Sequence, residues 1–325
     1  MIGIIKTMAK AHRTRIAFAA VFVLLAATFV AAQRRERVVS TWKPLHYDVS
    51  LSFNDQLTEI SSAKTEVTLQ VLAARLTVVD FDFGDMPIDS VTVSGKPARY
   101  ERKAELLNVR LPRMYRNGDK LKVTVTYHGR PKDGLIFASD RDGKPSVTGD
   151  NWPNRVHQWI PSLDHPSAKA SVSFTIAAPP RDLVVANGKP VTMTRNGGAP
   201  AVWRYEEAKP IPAYCMVIAV NEGAKIEGES TVTPLSFYVP QRDRSYATKG
   251  FSPAGPALSF FSQTVGPYPY DKLALIIAAT RFGGMENSGA IVFTNNLFDL
   301  RPNEAMSERF GVPSRIESLV AHEIA

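Results

Sequence analysis

The sequence predicts a mainly β first part, of saddle-like or sandwich type, followed by a mixed α+β part. Three observations carry this. Segments between residues 45 and 220 alternate apolar and polar side chains with a period of two, and Asn-Gly and Asp-Gly pairs separate them. Beyond about Asn221, helical spacing and longer apolar runs take over. At 325 residues there is chain enough for two domains with real cores.

Residues 1–32 differ from everything after them. Lys6, Lys10, Arg13 and Arg15 are cationic with no acid among them, and Ile16–Ala32 reads "IAFAAVFVLLAATFVAA" without a charge. A charged stretch, an apolar stretch and a small-residue end before Gln33 make an export signal. The competing reading is an uncleaved anchor over residues 16–32, at the short end of what spans a bilayer. Either way the remainder is expected to be exported, to a periplasmic or extracellular location, with membrane contact only through that anchor.

Removing those four cations from 39 leaves 35 against 31 acids, so much of the formal +8 belongs to the leader. No basic run interleaved with aromatics remains, and nucleic acid is not a suggested partner. Cys215, the only cysteine, lies inside the apolar run "PIPAYCMVIAV" and reads as a buried structural thiol.

The β-part begins with "HYDVSLSF", where Tyr47, Val49, Leu51 and Phe53 share one face. "LKVTVTY" and "ASVSFTI" repeat the pattern through Leu121, Val123, Val125 and Tyr127, and through Val172, Phe174 and Ile176. Turn residues at Asn117-Gly118, Asp142-Gly143, Asn187-Gly188 and Asn196-Gly197-Gly198 punctuate the strands. Many short half-buried strands so joined form sandwiches or open sheets.

In the second part "LSFYV" is another strand. Leu258, Phe261 and Val265 predict one face of a short helix, stopped by Gly266-Pro267. "KLALIIAAT" is a near-continuous apolar run, as in a strand buried on both faces. "AIVFT" follows the glycines at 283–284. A final helix starts at a capping box, Ser314 with Glu317, after Pro313, and carries an apolar stripe of Ile316, Leu319, Val320 and Ile324.

That helix ends in His322-Glu323. Taken alone, a His-Glu pair is more often a solvated or hydrogen-bonded surface feature. It is also the front half of H-E-x-x-H, in which side chains at i and i+4 converge on one metal ion. The stretch "FGGMENSG" reads by itself as a glycine turn between strands with incidental polar residues. Gly283, Gly284, Met285, Glu286 and Asn287 in that order, however, resemble the G-x-M-E-N motif of the M1 family of zinc aminopeptidases.

Further segments share the resemblance in family order. "PLHYDVSLSF" is similar to the family's first strand. "WIPSLDHPSAKASVSFTI" matches W-x-P-x-x-D-x-P-x-x-K-A through Trp159, Pro161, Asp164, Pro166, Lys169 and Ala170. "PIPAYCMVIAV" and "GPYPYDKL" resemble the segments that close the N-domain and lead to the buried strand. Two departures stand out. Ala274 occupies the place of a family Asp, and Trp152 lies near where the family often carries a Gln that helps hold the substrate's amino terminus.

The resemblance implies a β-domain over 33–225 and an incomplete thermolysin-like metallopeptidase domain over 226–325. It implies one catalytic Zn2+, with His322 supplying a ligand nitrogen and Glu323 acting as general base toward a zinc-activated water. Glu286 is the family's anchor for the free α-amine of a peptide substrate. Gly283 and Gly284 let an extended peptide approach the backbone, and Met285 and Asn287 belong to the same substrate-binding stretch. The second His, the distal Glu ligand and the Tyr that stabilises the tetrahedral intermediate are not reached, so the expectation is a fragment inactive by itself. The alternative is a non-catalytic exported β-module. His46, His128, His157 and His165, with Asp164 and Lys169, read as surface or packing residues.

Overall fold

The computed structural model describes residues 37–325, so the predicted export segment lies outside the described residues. Mainly β architecture is what the described residues adopt, in four sheets. The largest has eight strands. Its centre is Trp42–Phe53, paired antiparallel with Ile60–Val71 on one side and parallel with Ala170–Ala178 on the other. Outward from these lie Lys120–Gly129 and Ala201–Ile211, and the edges are Lys96–Pro97 and Lys189–Thr194.

Alternation does what the sequence requires of it. Trp42, Tyr47, Val49 and Leu51 are buried while their neighbours face out, and Val123, Val125, Phe174 and Ile176 join them in one large core. A three-stranded sheet closes over this core, with Trp42 bonding Asp80 through its indole N–H at 3.1 Å. The residues of the W-x-P segment are structural. Trp159 donates to Asn151 at 2.8 Å, and Tyr127 O–H donates to the Trp159 carbonyl at 2.6 Å. Asp164 meets the buried His157 ring at 2.6 Å.

A four-stranded sheet follows in the order Leu183–Ala186, Ile218–Asn221, Pro145–Gly149, Leu135–Ser139. Gly188, just beyond its first strand, has φ +76°, and a Cβ there would sit 2.1 Å from the Glu206 carbonyl. Only glycine fits this turn. Cys215 is buried and free, as its apolar surroundings predict.

The fifth of the chain that carries the candidate site is a mixed five-stranded sheet: Gly223–Gly228, Leu235–Pro240, Leu273–Ala278, Ala290–Thr294 and Gly284–Met285. Its three inner strands run parallel, and every residue of Leu273–Ala278 is buried, because both faces are covered. Helices α1 (Arg244–Gly250) and α2 (Ala254–Thr264) make the crossover between two of these strands. Short α3 (Glu304–Phe310) leads to α4 (Arg315–Ile324).

Helix α4 starts where expected. Glu317 N–H donates to Ser314 Oγ at 3.0 Å and Ser314 N–H to Glu317 Oε2 at 3.4 Å. Such a cap stabilises a helix by about 1 kcal/mol. Ile316 and Val320 are buried against the sheet. The predicted face of α2 is only partly realised. Leu258 is buried, but Val265 falls past the last helical residue, at the turn into Gly266, and is 81 % exposed. No described helix is long and apolar enough to cross a membrane.

Candidate functional site

The site is built at the short edge of the five-stranded sheet. Gly284 and Met285 pair antiparallel with Phe293 and Val292, and Thr294 N–H donates to the Gly283 carbonyl at 3.0 Å. Period-two alternation then sets the side chains: Met285 goes inward and is buried, and Glu286 faces out. The chain turns at once. Asn287 N–H donates to the Met285 carbonyl at 2.8 Å, Ala290 N–H to the Asn287 carbonyl at 3.0 Å, and Gly289 supplies φ +68°. Asn287 is itself buried, so it holds the turn rather than facing solvent.

Helix α4 lies across this edge. His322 and Glu323 are adjacent in the helix and so point about 100° apart. His322 is exposed, whereas Glu323 turns inward and is only 7 % exposed. Its carboxyl rests directly over Gly284, where a Cβ would lie 2.4 Å from Glu323 Cδ. At Gly283 a Cβ would meet Leu319 at an ordinary 3.5 Å. Of the two glycines, the second is therefore the one this packing demands. Burial raises the Glu323 carboxyl above the usual range, His322 opposes the rise, and the Glu286 charge adds to it.

Glu286, Asn287 and Glu323 share the wall of a cavity of about 460 Å3, together with Tyr268, Tyr270 and Phe261. Burial pushes the Tyr214 hydroxyl up to about 12, with Cys215 and the nearby Glu286 contributing. The structure thus brings together Gly284, Met285, Glu286, Asn287 and Glu323. His322 stands on the same helix but turns away to the exposed face.

Among the described residues no three His, Cys, Asp or Glu side chains converge to hold a metal ion. One imidazole on an exposed helix face, beside an inward carboxylate, fits part of a zinc site. It does not fit a whole one, because affinity comes from several ligands acting together.

The edge is anchored by residues that local sequence patterns did not single out. Arg281, two positions before Gly283, bonds Asp150 and Asp133 at 2.9 Å each, and Arg155 shares Asp150 at 3.1 Å. Phe282 stacks edge-on against Trp152 at 5.5 Å. At the other end Asn187 donates to the Ser288 carbonyl and Lys272 to the Gly289 carbonyl. Lys272, a cation at the mouth of an apolar run, was the one local signal available. Asn187 gave none beyond its turn.

Comparisons with known proteins bear on family and fold. Residues 43–215 match the Peptidase M1 N-terminal domain. A Sulfurisphaera tokodaii protein named "Probable aminopeptidase 1" is 24 % identical, over 76 % of this chain and 31 % of its own length. "Aminopeptidase 2" of Candida albicans is 23 % identical, over 91 % of this chain and 33 % of its own length. The chain thus spans about a third of the length of these two relatives. An M1 zinc metallopeptidase from Deinococcus radiodurans superposes with TM-score 0.73 at 18 % identity, over 88 % of this chain and 64 % of that one, a likeness of fold.

Proposed function

This chain belongs to the M1 peptidase family, and on that premise we propose that it is the front portion of an aminopeptidase that removes amino-terminal residues from peptides. One observation supports this most directly. Glu286 and Glu323 face one cavity from the two ends of a glycine-led edge strand, so a carboxylate for an amine and a carboxylate for a proton lie a short span apart.

In this reading an extended peptide runs along the Gly283–Gly284 backbone, which has no side chain to keep it off. Its free α-amine, a compact cation, pairs with Glu286. Asn287 holds the turn that presents Glu286. Glu323, desolvated and raised, accepts a proton at its carboxylate as water adds to the scissile carbonyl, and returns it to the leaving amine. His322 would hold a zinc ion jointly with ligands beyond these residues, and such an ion supplies Lewis-acid activation of the water. The span from Glu286 to the reacting carbonyl sets how many residues leave at a time. The charged and apolar segments of residues 1–32 support a location outside the cytoplasm.

The test uses the natural full-length protein and an aminoacyl reporter, offered with a free and with an acetylated α-amine. Glu286→Ala should raise KM for the free-amine reporter with a smaller change in kcat. Glu323→Ala should lower kcat by about 10²–10⁴-fold, the usual contribution of a general base. If Glu286→Ala turns over the free-amine reporter as well as the parent does, the aminopeptidase reading fails. Residues 33–325 alone should show no metal-dependent turnover, since among the described residues no three His, Cys, Asp or Glu side chains converge on a metal ion.

A further inference from the structure

Lys272 is the least expected side chain in the neighbourhood of the site. It sits at the entrance of the fully buried strand Leu273–Ala278 and is itself only 6 % exposed. Its ammonium donates to two backbone carbonyls, Ala186 and Gly289, each at 2.9 Å. The charged and titratable groups that face it stand further off. Glu207 acts on it from one strand and Lys225 from another, and the Tyr205 ring lies 5.9 Å away. Tyr268 O–H reaches only its backbone carbonyl, at 3.5 Å.

Burying an ammonium without a carboxylate in contact is costly, and a long apolar side chain would fill the same volume without that cost. At Gly289 the need to satisfy a backbone group does not account for it either. The Gly289 carbonyl already accepts from Ala274 N–H at 3.1 Å. Lys272 adds a second bond to an acceptor that is already paired. What it adds is a fixed position for the Gly289 backbone relative to Ala186.

Asn187, the next residue after Ala186, does the same one carbonyl earlier. Its side-chain N–H groups donate to Cys215 and Ser288 carbonyls at 2.8 Å each, and its oxygen accepts from Val217 N–H. The turn Glu286-Asn287-Ser288-Gly289 is therefore stitched at two successive carbonyls to one point, residues 186–187. Glu286 is two residues from the first stitch. Its separation from Glu323 then depends on these bonds as much as on its own strand.

We propose that Lys272 and Asn187 are positioning residues that set where the Glu286 carboxylate stands, and so how a free amino terminus is recognised. This rests on the reading of Glu286 as the amine anchor.

The test is made in the natural full-length protein with the same pair of reporters. Lys272→Met keeps the length and removes the donor. Asn187→Asp keeps the acceptor for Val217 and removes the donor to Ser288 and Cys215, and a second variant guards against one failing to fold. Each should raise KM for the free-amine reporter by about tenfold with kcat within about twofold, and should shrink the preference for a free over an acetylated amine. A folded variant of either kind with parental KM and parental preference, in a protein where Glu286→Ala raises KM, overturns the proposal and leaves the amine anchor standing. If Glu286→Ala itself changes nothing, the anchor reading fails and this proposal fails with it.

Discussion

The eight-stranded and five-stranded sheets solve the burial of apolar surface in opposite ways. In the first, strand Trp42–Phe53 alternates buried and outward residues, because one face meets the core and the other does not. In the second, Leu273–Ala278 is buried throughout, because helices and the neighbouring β-structure cover both faces. Their edges differ as well. The large sheet has one edge of two residues, Lys96–Pro97, and one of six, Lys189–Thr194, exposed throughout and carrying Lys and Pro that discourage pairing. One edge of the small one is only two residues, Gly284–Met285, and helix α4 lies across it. The contrast teaches where chemistry is affordable. A broad sheet with a large shared core carries the stability, and the carboxylates of the proposed site gather where helix α4 crosses a short edge.

Three measurements would break or sharpen this division of labour. The largest effect is expected in the large core: Phe174→Ala, at a fully buried position stacked on Trp159, should cost about 3–5 kcal/mol in denaturant unfolding. A loss below 1 kcal/mol would mean that this sheet is not the stabilising half. Next comes Gly284→Ala in the full-length protein. The new methyl occupies the place of the Glu323 carboxyl, and kcat should fall by about 10²-fold, as for a group displaced by about 1 Å. Unfolding free energy should change far less than kcat, which separates the edge from the core.

The smallest effect is a slope. Burial lowers the Lys272 pKa from 10.5 to about 7. Between those values the unfolded chain holds a proton that the folded one has released, so this group makes stability rise with pH through that window. Below about pH 7 both forms are protonated and the slope vanishes. The wild type should gain up to about 1 kcal/mol per pH unit over Lys272→Met across the window, as parallel pH–unfolding series would show. A constant difference between the two proteins would place a carboxylate partner at Lys272 instead.

How legible all this was depends on the range of the signal. Period-two alternation announced Trp42–Phe53, Lys120–Gly129 and Ala170–Ala178, and the continuous run announced Leu273–Ala278. Each is set by which faces are covered, and that is written into neighbouring residues. Ser314 and Glu317 announced the start of α4 because a capping box is local. Gly283 to Asn287 and His322-Glu323 stood out by residue type, and Glu286, Asn287 and Glu323 line one cavity. Val265 was misplaced because helical spacing continues on paper past the point where Gly266 ends the helix. The anchors were silent for a plainer reason. Arg281 reaches Asp150 across 131 positions and Asn187 reaches Ser288 across 101, and no periodicity spans such distances.

One pairing in the large sheet bears on how the chain is made. His46 and Ser171 are partners on parallel strands, yet 125 positions separate them. A chain threading out amino terminus first presents Trp42–Phe53 long before Ala170–Ala178 arrives. Until then the central strand has one neighbour and one bare rim. Closing so long a loop is slow, and a bare rim invites the wrong strand. The interval between the two arrivals, rather than the finished core, is when this molecule has most need of an escort.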